Sequence, residues 1–380
     1  MKSVQVHLRK KDLTNNILKP ILDLQPHVVI AFADIEWASD GDFLQRLRTA
    51  LSGVELVGCS TAGEISNKGL FDKSMVLTGI RFDSADSKVR IFEEVVIADQ
   101  AETGRQLGKQ LAAEDLRGVF LFAPGIAIQG SSLLKGLKSV IDESTLVVGG
   151  LAGDSGKFKS TAVFHNEKSF NDKVLGLAFY GKDLELRHTA QAGFSSFGGV
   201  RQITKAQEHI VFEIDGQPAL KIYKEALGKY ANDLPSTGLM FPLAVLDHQQ
   251  SETGLIRAVL GVDEAAQSLF LAGDVEANTF FKLMRAENKG LIAAAGKAAQ
   301  NVNKNAVEGS LGFLVSCVAR RMVMGEVVED EIEAAISELS DCTNVSGFYA
   351  YGEFGPFFTA GDCQLHNQTM SVTVLSERVI

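Results

Sequence analysis

Residues 58–64 read GCSTAGE and follow the short apolar run at 54–57. Small residues and one acid therefore close a predicted strand. The stretch does not match a phosphate-binding loop, which requires Gly, four residues and then Gly-Lys-Ser/Thr. It does not match the G-x-S-x-G nucleophile turn, because Ala62 stands where the second Gly should be. Its meaning comes from related phrases elsewhere in the chain.

Two further phrases end predicted strands in a similar way, GGLAGD at 149–154 and GFYAYGE at 347–353. Gly permits positive φ and close backbone approach at a strand end, and the acid that follows can accept hydrogen bonds from loop amides. One interpretation is that these turns bend a repeated sheet and their acids satisfy loop N–H groups. The other is that equivalent turns meet around one cleft, which makes Glu64 and Glu353 ligand-binding candidates.

The order of predicted elements around the first two phrases is the same. Residues 13–98 read as helix, strand, helix and three strands, and residues 102–192 repeat that order. Strands are predicted from β-branched and aromatic runs bounded by Gly, Asp and Ser, and helices from 3.6-residue spacing such as Leu107, Leu111 and Leu116. The C-terminal third repeats part of the order. The sequence therefore predicts an α/β fold with mixed sheets covered by helices, built from duplicated βαβ-rich units.

A domain boundary is predicted near Leu220. Residues 204–227 read as a strand, a DG turn and a helix with Pro218 near its start, which suits the first helical turn. The stretch at 231–243 carries two prolines and reads as a connector. We therefore expect two domains, at 1–219 and 220–380.

Composition excludes several classes of protein. The net charge is −10 and the longest basic run is residues 9–11, so nucleic acid is an unexpected partner. No apolar run approaches the roughly 18 residues of a membrane helix, and the N-terminus lacks the apolar core of a signal peptide. The four cysteines, none in CxxC spacing, predict reduced thiols in a cytosolic protein without membrane insertion.

The quoted motifs resemble a known family. The N-terminal part resembles the N-terminal FIST domain in the motifs GCSTAGEI, VVGGLAGD and EIDGQPAL. The C-terminal part resembles the C-terminal FIST domain in the motifs IRAVLGVD, LFLAGDVE, LVSCVARR, GFYAYGEFGP and LHNQTMSVTVL. The resemblance covers nearly the whole chain, and the order and spacing of the motifs make it specific. It implies a small-ligand sensor in intracellular signal transduction. Because this chain has no room for a fused kinase or cyclase, we expect a stand-alone sensor with a separate partner.

The family includes stand-alone haem proteins that sense nitric oxide and control a histidine kinase, often within cyclic-di-GMP circuits. By this resemblance the chain is expected to bind one b-type haem and nitric oxide. The implied partner is a histidine kinase or a cyclic-di-GMP signalling protein, within a two-component system. A homodimer is left open.

Histidine is the haem ligand considered. No histidine pair has HExxH or HxxxH spacing, which disfavours zinc, whereas haem needs only one proximal ligand and an apolar pocket. We rank His188 first, because aromatic residues follow it, then His248 after an apolar run, and then His366 in its family motif. Arg187 and Arg201 flank His188 and could pair with the haem propionates.

Arginines in apolar surroundings suggest an alternative site. Arg257 lies inside the run GLIRAVLG, and a buried Arg needs a carboxylate partner. Arg257 and Arg320 are predicted either to bind a ligand carboxylate or to form structural pairs with Asp274 or Glu353. Cys317, at the end of an apolar strand, joins this ligand-binding set, although free Cys more often behaves as a small buried hydrophobe.

No enzyme motif is found. GGLAGDSGKF superficially resembles a phosphate loop, but Phe158 replaces the Ser/Thr that would hold Mg²⁺. The expected function is a ligand-sensing protein, with a haem-dependent nitric oxide sensor as the first hypothesis. The second is a sensor of an amino-acid-like carboxylate bound by Arg257 and Arg320. An unrecognised enzyme is a weaker third.

Overall fold

Two successive units with the same element order make up the first half of the fold. The computed structural model describes residues 1–9, 13, 15–304, 306–357 and 363–378; Thr14, inside the first predicted helix, lies outside them. The first unit contains β1 (Lys2–Leu8), α1 (Asn15–Leu24), β2 (Val28–Ala33), α2 (Ile35–Ala38), α3 (Gly41–Ala50), β3 (Leu56–Ser60), β4 (Glu64–Ser66), β5 (Gly69–Phe71) and β6 (Met75–Arg81). The second contains β7 (Lys88–Val95), α4 (Gln100–Leu111), β8 (Leu116–Ala123), α5 (Gly130–Lys138), β9 (Leu146–Leu151), β10 (Val163–His165), β11 (Lys168–Phe170) and β12 (Lys173–Tyr180).

A third unit is interrupted by an inserted sheet. The third unit begins with β13 (Leu184–Gln191). The insert contains β14 (Ser195–Gln207), β15 (Ile210–Ile214), β16 (Gln217–Pro218), α6 (Ala219–Leu227), β17 (Leu243–Leu246), β18 (Glu252–Arg257), β19 (Val259–Asp263), β20 (Ser268–Leu271) and β21 (Phe280–Arg285). The third unit resumes with α7 (Asn288–Asn303), β22 (Ser310–Cys317), α8 (Val318–Met324), α9 (Val328–Ser337), β23 (Cys342–Ala350), β24 (Glu353–Gly355), β25 (Gln364–His366) and β26 (Met370–Glu377). Short 3-10 helices occupy 228–233, 236–240 and 325–327.

Each unit forms a six-stranded sheet around a parallel pair and receives a hairpin from another unit. The strand orders are β1-β6-β2-β3-β10-β11, β7-β12-β8-β9-β24-β25 and β13-β26-β22-β23-β4-β5. The hairpin β10–β11 of the second unit thus joins the first sheet, β24–β25 of the third joins the second, and β4–β5 of the first joins the third. This cyclic exchange links the units into one pseudo-threefold body, because every sheet needs strands from two units.

The three glycine phrases lie at equivalent strand ends, as the sequence predicts. Gly58 pairs with Ala31, Gly149 with Leu121 and Gly347 with Leu314, each across the parallel pair of its sheet. A Cβ added at these glycines would lie 1.8, 2.2 and 2.0 Å from the carbonyl oxygen of the residue opposite. No side chain fits at such a distance, so the close strand approach explains why Gly recurs in all three phrases.

The inner faces of the three sheets share one core. Phe32 stacks on Phe348 with ring centroids 4.6 Å apart, and Phe120 contacts Phe313 at the same distance, so the core joins all three sheets. Three further apolar clusters lie between the outer faces of the sheets and their helices. The predicted α/β class, with mixed sheets covered by helices, is confirmed. Among the described residues, no helix is both long and apolar enough to cross a membrane.

The inserted sheet lies between β13 and α7 and accounts for the region where the boundary was predicted. The DG turn is present, with positive φ at Asp215 and Gly216, and α6 begins at Ala219. Two antiparallel strands, β14 and β15, precede this turn instead of the single predicted strand. Because β13 pairs with the C-terminal strand β26, the third sheet takes strands from both sides of residue 220.

Candidate functional site

The three turns meet at the carboxyl ends of the parallel strands. Their backbones join in a cycle of hydrogen bonds, from Gly153 N to Ser60 O (2.9 Å), from Ala62 N to Tyr349 O (2.8 Å) and from Tyr351 N to Leu151 O (3.0 Å). The carboxyl ends of parallel strands are where α/β proteins commonly bind ligands. The inserted sheet lies beside this face, and residues of both line shared cavities. A cleft therefore runs between the pseudo-threefold body and the insert.

Glu64 points inward and is satisfied by its own unit. Its Oε1 accepts a hydrogen bond from Thr61 Oγ1 at 2.6 Å, and its Oε2 accepts one from Ser74 Oγ at 2.7 Å. Burial raises the pKa of Glu64 to about 8, and these hydrogen bonds only partly oppose that shift. Its carboxyl group is therefore mostly protonated at neutral pH. Glu64 lines none of the cavities described below.

Glu353 occupies the corresponding position of the third turn. Its Oε2 accepts hydrogen bonds from Thr369 N (3.2 Å) and Thr369 Oγ1 (2.8 Å). The Cys317 thiol adjoins this carboxyl group. Among the described residues, however, Glu353 Oε1 has no hydrogen-bond partner. Burial raises the pKa of Glu353 to about 8. In both glutamates of the repeated phrase, Glu64 and Glu353, burial thus raises the pKa of the carboxyl group.

The acid of the middle turn, Asp154, organises a loop. Its carboxylate accepts hydrogen bonds from the backbone N–H groups of Phe158 (2.8 Å), Lys159 (2.7 Å) and Ser160 (3.0 Å), and from the Tyr351 hydroxyl. Burial alone would raise the pKa of Asp154, but the Tyr351 and loop hydrogen bonds outweigh it and lower that pKa. For this turn, the structural interpretation of the acid is the one that the contacts support.

Among the residues that the structure describes, Arg257 is a buried cation without a carboxylate bonded to it. Its guanidinium donates from Nε to Asp274 O (3.2 Å) and from Nη1 to Leu365 O (3.0 Å), and among the described residues Nη2 has no hydrogen-bond partner. Burial lowers the pKa of Arg257 to about 10, and the nearby Asp274 charge opposes that shift. The group therefore stays charged at neutral pH while only 4% of its surface is exposed.

Arg257 and Asp274 line the same cavity, of about 380 Å³, between α5 and the insert. Lys135 and Glu276 also line it. Among the described residues, no carboxylate lies within ion-pair distance of Arg257. A buried guanidinium that faces a cavity with an unused terminal nitrogen is well suited to a bidentate carboxylate.

Arg320 is fully engaged inside the protein. It lies on α8, which begins directly after β22 ends at Cys317. Its Nε and Nη2 donate to Glu331 Oε2 at 3.0 and 2.6 Å, and both side chains are 0% exposed. The predicted partners Asp274 and Glu353 are thus replaced by Glu331. Further donations go to the carbonyls of Ala192, Gln368 and Leu291, so Arg320 does not converge with Arg257 on one ligand.

The Cys317 thiol lines a second, apolar cavity of about 360 Å³. Burial, followed by the Glu353 charge, raises the pKa of Cys317 well above its usual range. A thiol held protonated is a weak nucleophile. Cys59 is also buried, and burial raises the pKa of its thiol.

The three histidines proposed as haem ligands do not fit that role. The Nδ1 atom of His188 contacts Thr373 Oγ1 at 2.9 Å, and its Nε2 faces Gly355 so closely that a Cβ there would lie 2.5 Å away. His366 hydrogen-bonds Gly355 O through Nε2 at 2.9 Å, and His248 lies in an exposed turn. None of the three is among the residues that line the Arg257 cavity, the apolar cavity at Cys317 or three further cavities of the described residues.

The surroundings of these histidines also explain their charge state. Burial lowers the pKa of His188 to about 3 and that of His366 to about 4, so both are neutral at pH 7. Arg201, proposed to pair with a propionate, instead forms an ion pair with Asp215 at 2.9 Å. Among the described residues, the ion pair of Arg187 is with Glu185, at 3.7 Å. Iron ligation at His188 would require Gly355 to move, so the residues present do not fit haem.

Sequence reasoning missed several residues of the cleft. Asn367 follows His366 in the quoted motif, is 2% exposed and lines the apolar cavity. In the sequence, Phe158 is notable only as a mismatch to a phosphate loop, yet it lines the same cavity and its ring stacks on Tyr351 with centroids 4.3 Å apart. The signal available for Asn367 was its place between two motif residues. For Phe158 the sequence offers no comparable signal.

Together these features define a pseudo-threefold α/β protein with ligand-sized cavities beside an inserted sheet. Residues 27–217 match the model of the FIST N domain and residues 219–356 match that of the FIST C domain. The chain therefore belongs to the FIST family, whose domains act as ligand-binding sensors in signal transduction.

The relatives found are described only as uncharacterised proteins. One from Mycobacterium tuberculosis is 27% identical over 241 residues, covering 60% of this chain and 61% of the relative. One from Mycobacterium bovis is 27% identical over 240 residues, covering 60% of each chain, and one from Methanocaldococcus jannaschii is 29% identical over 187 residues, covering 46% of this chain and 35% of the relative. The chain thus spans about three fifths of the length of the first relatives that it matches.

A solved structure, a cyanuric acid hydrolase from A. caulinodans, aligns over 100% of this chain and 99% of its own. The TM-score is 0.39 and the sequence identity is 9%. A similarity this weak supports no statement about activity.

Proposed function

We propose that the protein senses a small amino-acid-like carboxylate, which binds in the cavity lined by Arg257 and Asp274. The observation that carries this proposal is the buried Arg257 guanidinium, which faces a cavity of about 380 Å³ and has no bonded carboxylate among the described residues. An unpaired buried charge is costly, and a ligand carboxylate would compensate it. Haem is not needed for this function.

The Asp274 carboxylate, which lines the cavity beside Arg257, indicates what a second group of the ligand would be. Asp274 makes no ion pair among the described residues, and it lines the cavity together with Arg257. A ligand with a carboxylate and an ammonium group would place the first on Arg257 and the second near Asp274. The ammonium group of such a zwitterion would lie near two acids of the lining, Asp274 and Glu276.

Signalling would follow from the position of the cavity between the body and the insert. The lining residues come from α5 of the second unit, from the insert and from β25. A ligand that binds one relative arrangement of these elements more tightly shifts the population toward it, by no more than its differential affinity. The output is proposed to pass to a partner protein, with a histidine kinase or a cyclic-di-GMP signalling protein as the candidate.

The test of the carboxylate site uses Arg257→Lys, which keeps the charge but loses the planar fork. Calorimetric titration with a panel of amino acids and their deaminated carboxylic acids is expected to show 1:1 binding of at least one amino acid. Arg257→Lys should weaken the binding of that amino acid and of its deaminated acid alike by roughly 10- to 100-fold, as expected for the loss of charge-assisted hydrogen bonds. Arg201→Lys, at the exposed ion pair in the same insert, is the matched control.

Asp274→Asn tests the contact of the ligand's ammonium group separately from that of its carboxylate. It should weaken the amino acid by about tenfold or more and leave the deaminated acid unchanged. Normal binding of both ligands by a folded Arg257→Lys protein would remove Arg257 from the site. A stoichiometric Soret band after addition of haem, abolished by His188→Ala, would restore the gas-sensor hypothesis in its place.

A further inference from the structure

The apolar cavity beside α8 is separate in chemistry from the Arg257 cavity. Its volume is about 360 Å³, which lies within the range of small-molecule sites. Among the residues that the structure describes, its lining contains no Asp, Glu, Lys, Arg or His. The residues are Phe158, Pro235, Ser236, Leu239, Ala258, Leu260, Ala272, Cys317, Val318, Ala319, Met322, Tyr351 and Asn367. A charged ligand would find no counter-charge here, so the cavity selects for a neutral one.

Exposed apolar side chains are concentrated at the opening of this cavity. Phe158 is 51% exposed, Leu260 51% and Met322 47%, and all three line it. They are three of the eight large apolar side chains that are exposed in the described part of the chain. Ile126, which is 48% exposed, lines an adjoining cavity that shares Phe158 and Leu260. Clusters of this kind mark binding sites, whereas single exposed apolar residues need no explanation.

Phe158 is held at the opening by polar contacts. Its φ is 53°, an unfavourable value for a bulky residue. The conformation is stabilised by the bond from Phe158 N to Asp154 Oδ1 and by stacking of the Phe158 ring on Tyr351, with interplanar angle 18°. Tyr351 in turn donates to Asp154. The hydrogen bonds of Asp154 thus fix two aromatic rings at the rim instead of letting them collapse into the core.

One polar side chain faces the cavity without a partner. Asn367 is 2% exposed, and its Oδ1 has no hydrogen bond among the described residues. A buried amide left unpaired costs stability. The unpaired Oδ1 is an acceptor, so the matching ligand group is a neutral hydrogen-bond donor such as a hydroxyl, an amine N–H or a carboxamide N–H.

We infer that this cavity is a second ligand site, which binds a neutral molecule with an aromatic or aliphatic body and one hydrogen-bonding group directed at Asn367. The apolar body lies against Leu260, Met322 and the Phe158 ring. This site does not depend on the carboxylate site proposed at Arg257, since it shares none of that cavity's lining residues.

The experiment uses N-phenyl-1-naphthylamine, a neutral aromatic amine with one N–H donor, whose fluorescence shifts to the blue in apolar surroundings. Titration of the 380-residue chain is expected to give saturable 1:1 binding. Leu260→Ser and Met322→Ser, both at exposed positions, should each weaken binding by about tenfold. Val95→Ser removes an equally exposed apolar side chain from β7 and is the matched control, and Arg257→Lys should bind the probe as the wild type does.

Asn367→Leu tests the polar contact. Because Oδ1 of the amide is unpaired in the free protein, this variant should have a higher Tm while binding the probe about five- to tenfold more weakly. A role in folding alone would instead lower the Tm. Non-saturable binding, or wild-type affinity in both serine variants, overturns the inference. So does a wild-type dimer in sedimentation velocity that Leu260→Ser dissociates, since the surface would then be a subunit interface.

Discussion

Replacing Glu331 with Gln is expected to lower the free energy of unfolding by about 3 to 5 kcal/mol, because it leaves the Arg320 charge buried without compensation. The two side chains are 0% exposed and their closest atoms, Arg320 Nη2 and Glu331 Oε2, lie 2.6 Å apart. Glu331 Oε1 also accepts hydrogen bonds from Tyr349 Oη (2.6 Å) and Ser316 Oγ (3.0 Å). Equilibrium urea unfolding measures the change.

Two further variants decide whether the charge pair or the packing is responsible. Glu333→Gln, an exposed position on the same helix, should change stability by less than about 0.5 kcal/mol. The double variant Arg320→Leu/Glu331→Leu should recover much of the loss, since apolar replacements of a buried ion pair are often neutral. If Glu331→Gln unfolds at the wild-type urea concentration while amino acid binding disappears, Arg320 belongs to the ligand site after all.

The repeated turns could be predicted because their signal is local. Gly58, Gly149 and Gly347 are required where a backbone carbonyl opposite leaves no room for a Cβ, and such a requirement is visible in a single short phrase. The hairpin exchange was not predicted. Pairing of β4 with β23 joins residues near 65 and 347, and nothing in either hairpin specifies which sheet it enters.

The site could be predicted only where one residue violates its local pattern. Arg257 is conspicuous because it interrupts an apolar run, and the structure places it in a cavity. Arg320 violates its pattern in the same way, but its partner Glu331 lies in an acidic stretch that reads as an exposed helix face. His188 was ranked by its sequence neighbours, whereas the residue that blocks its Nε2, Gly355, comes from a strand more than 150 residues away.

The contribution of Glu64 and Glu353 to protein stability is expected to fall as pH rises from about 5 to 8, because unfolding releases the protons that both groups hold in the folded state. Burial raises the pKa of each to about 8, whereas an unfolded Glu titrates near 4.3. Between these values the folded state binds more protons than the unfolded state. Each group then lowers the free energy of unfolding by about 1.4 kcal/mol per pH unit. Below the unfolded pKa both states are protonated, and the contribution is fully present.

The variants Glu353→Gln and Glu64→Gln isolate this effect from other titrating groups. Gln keeps an acceptor for Thr369 at position 353 and resembles the protonated acid, so Glu353→Gln should have nearly wild-type stability at pH 5. By pH 8 it should exceed the wild type by an amount on the order of 4 kcal/mol. Glu333→Gln is again the exposed control.

Unfolding measured at intervals from pH 5 to 8 tests the prediction. A difference between Glu353→Gln and wild type that does not change with pH would show that Glu353 is ionised in the folded protein. An ionised Glu353 next to Cys317 would then place a fixed negative charge behind the apolar cavity, which would favour a ligand with a hydrogen-bond donor over one with only an acceptor.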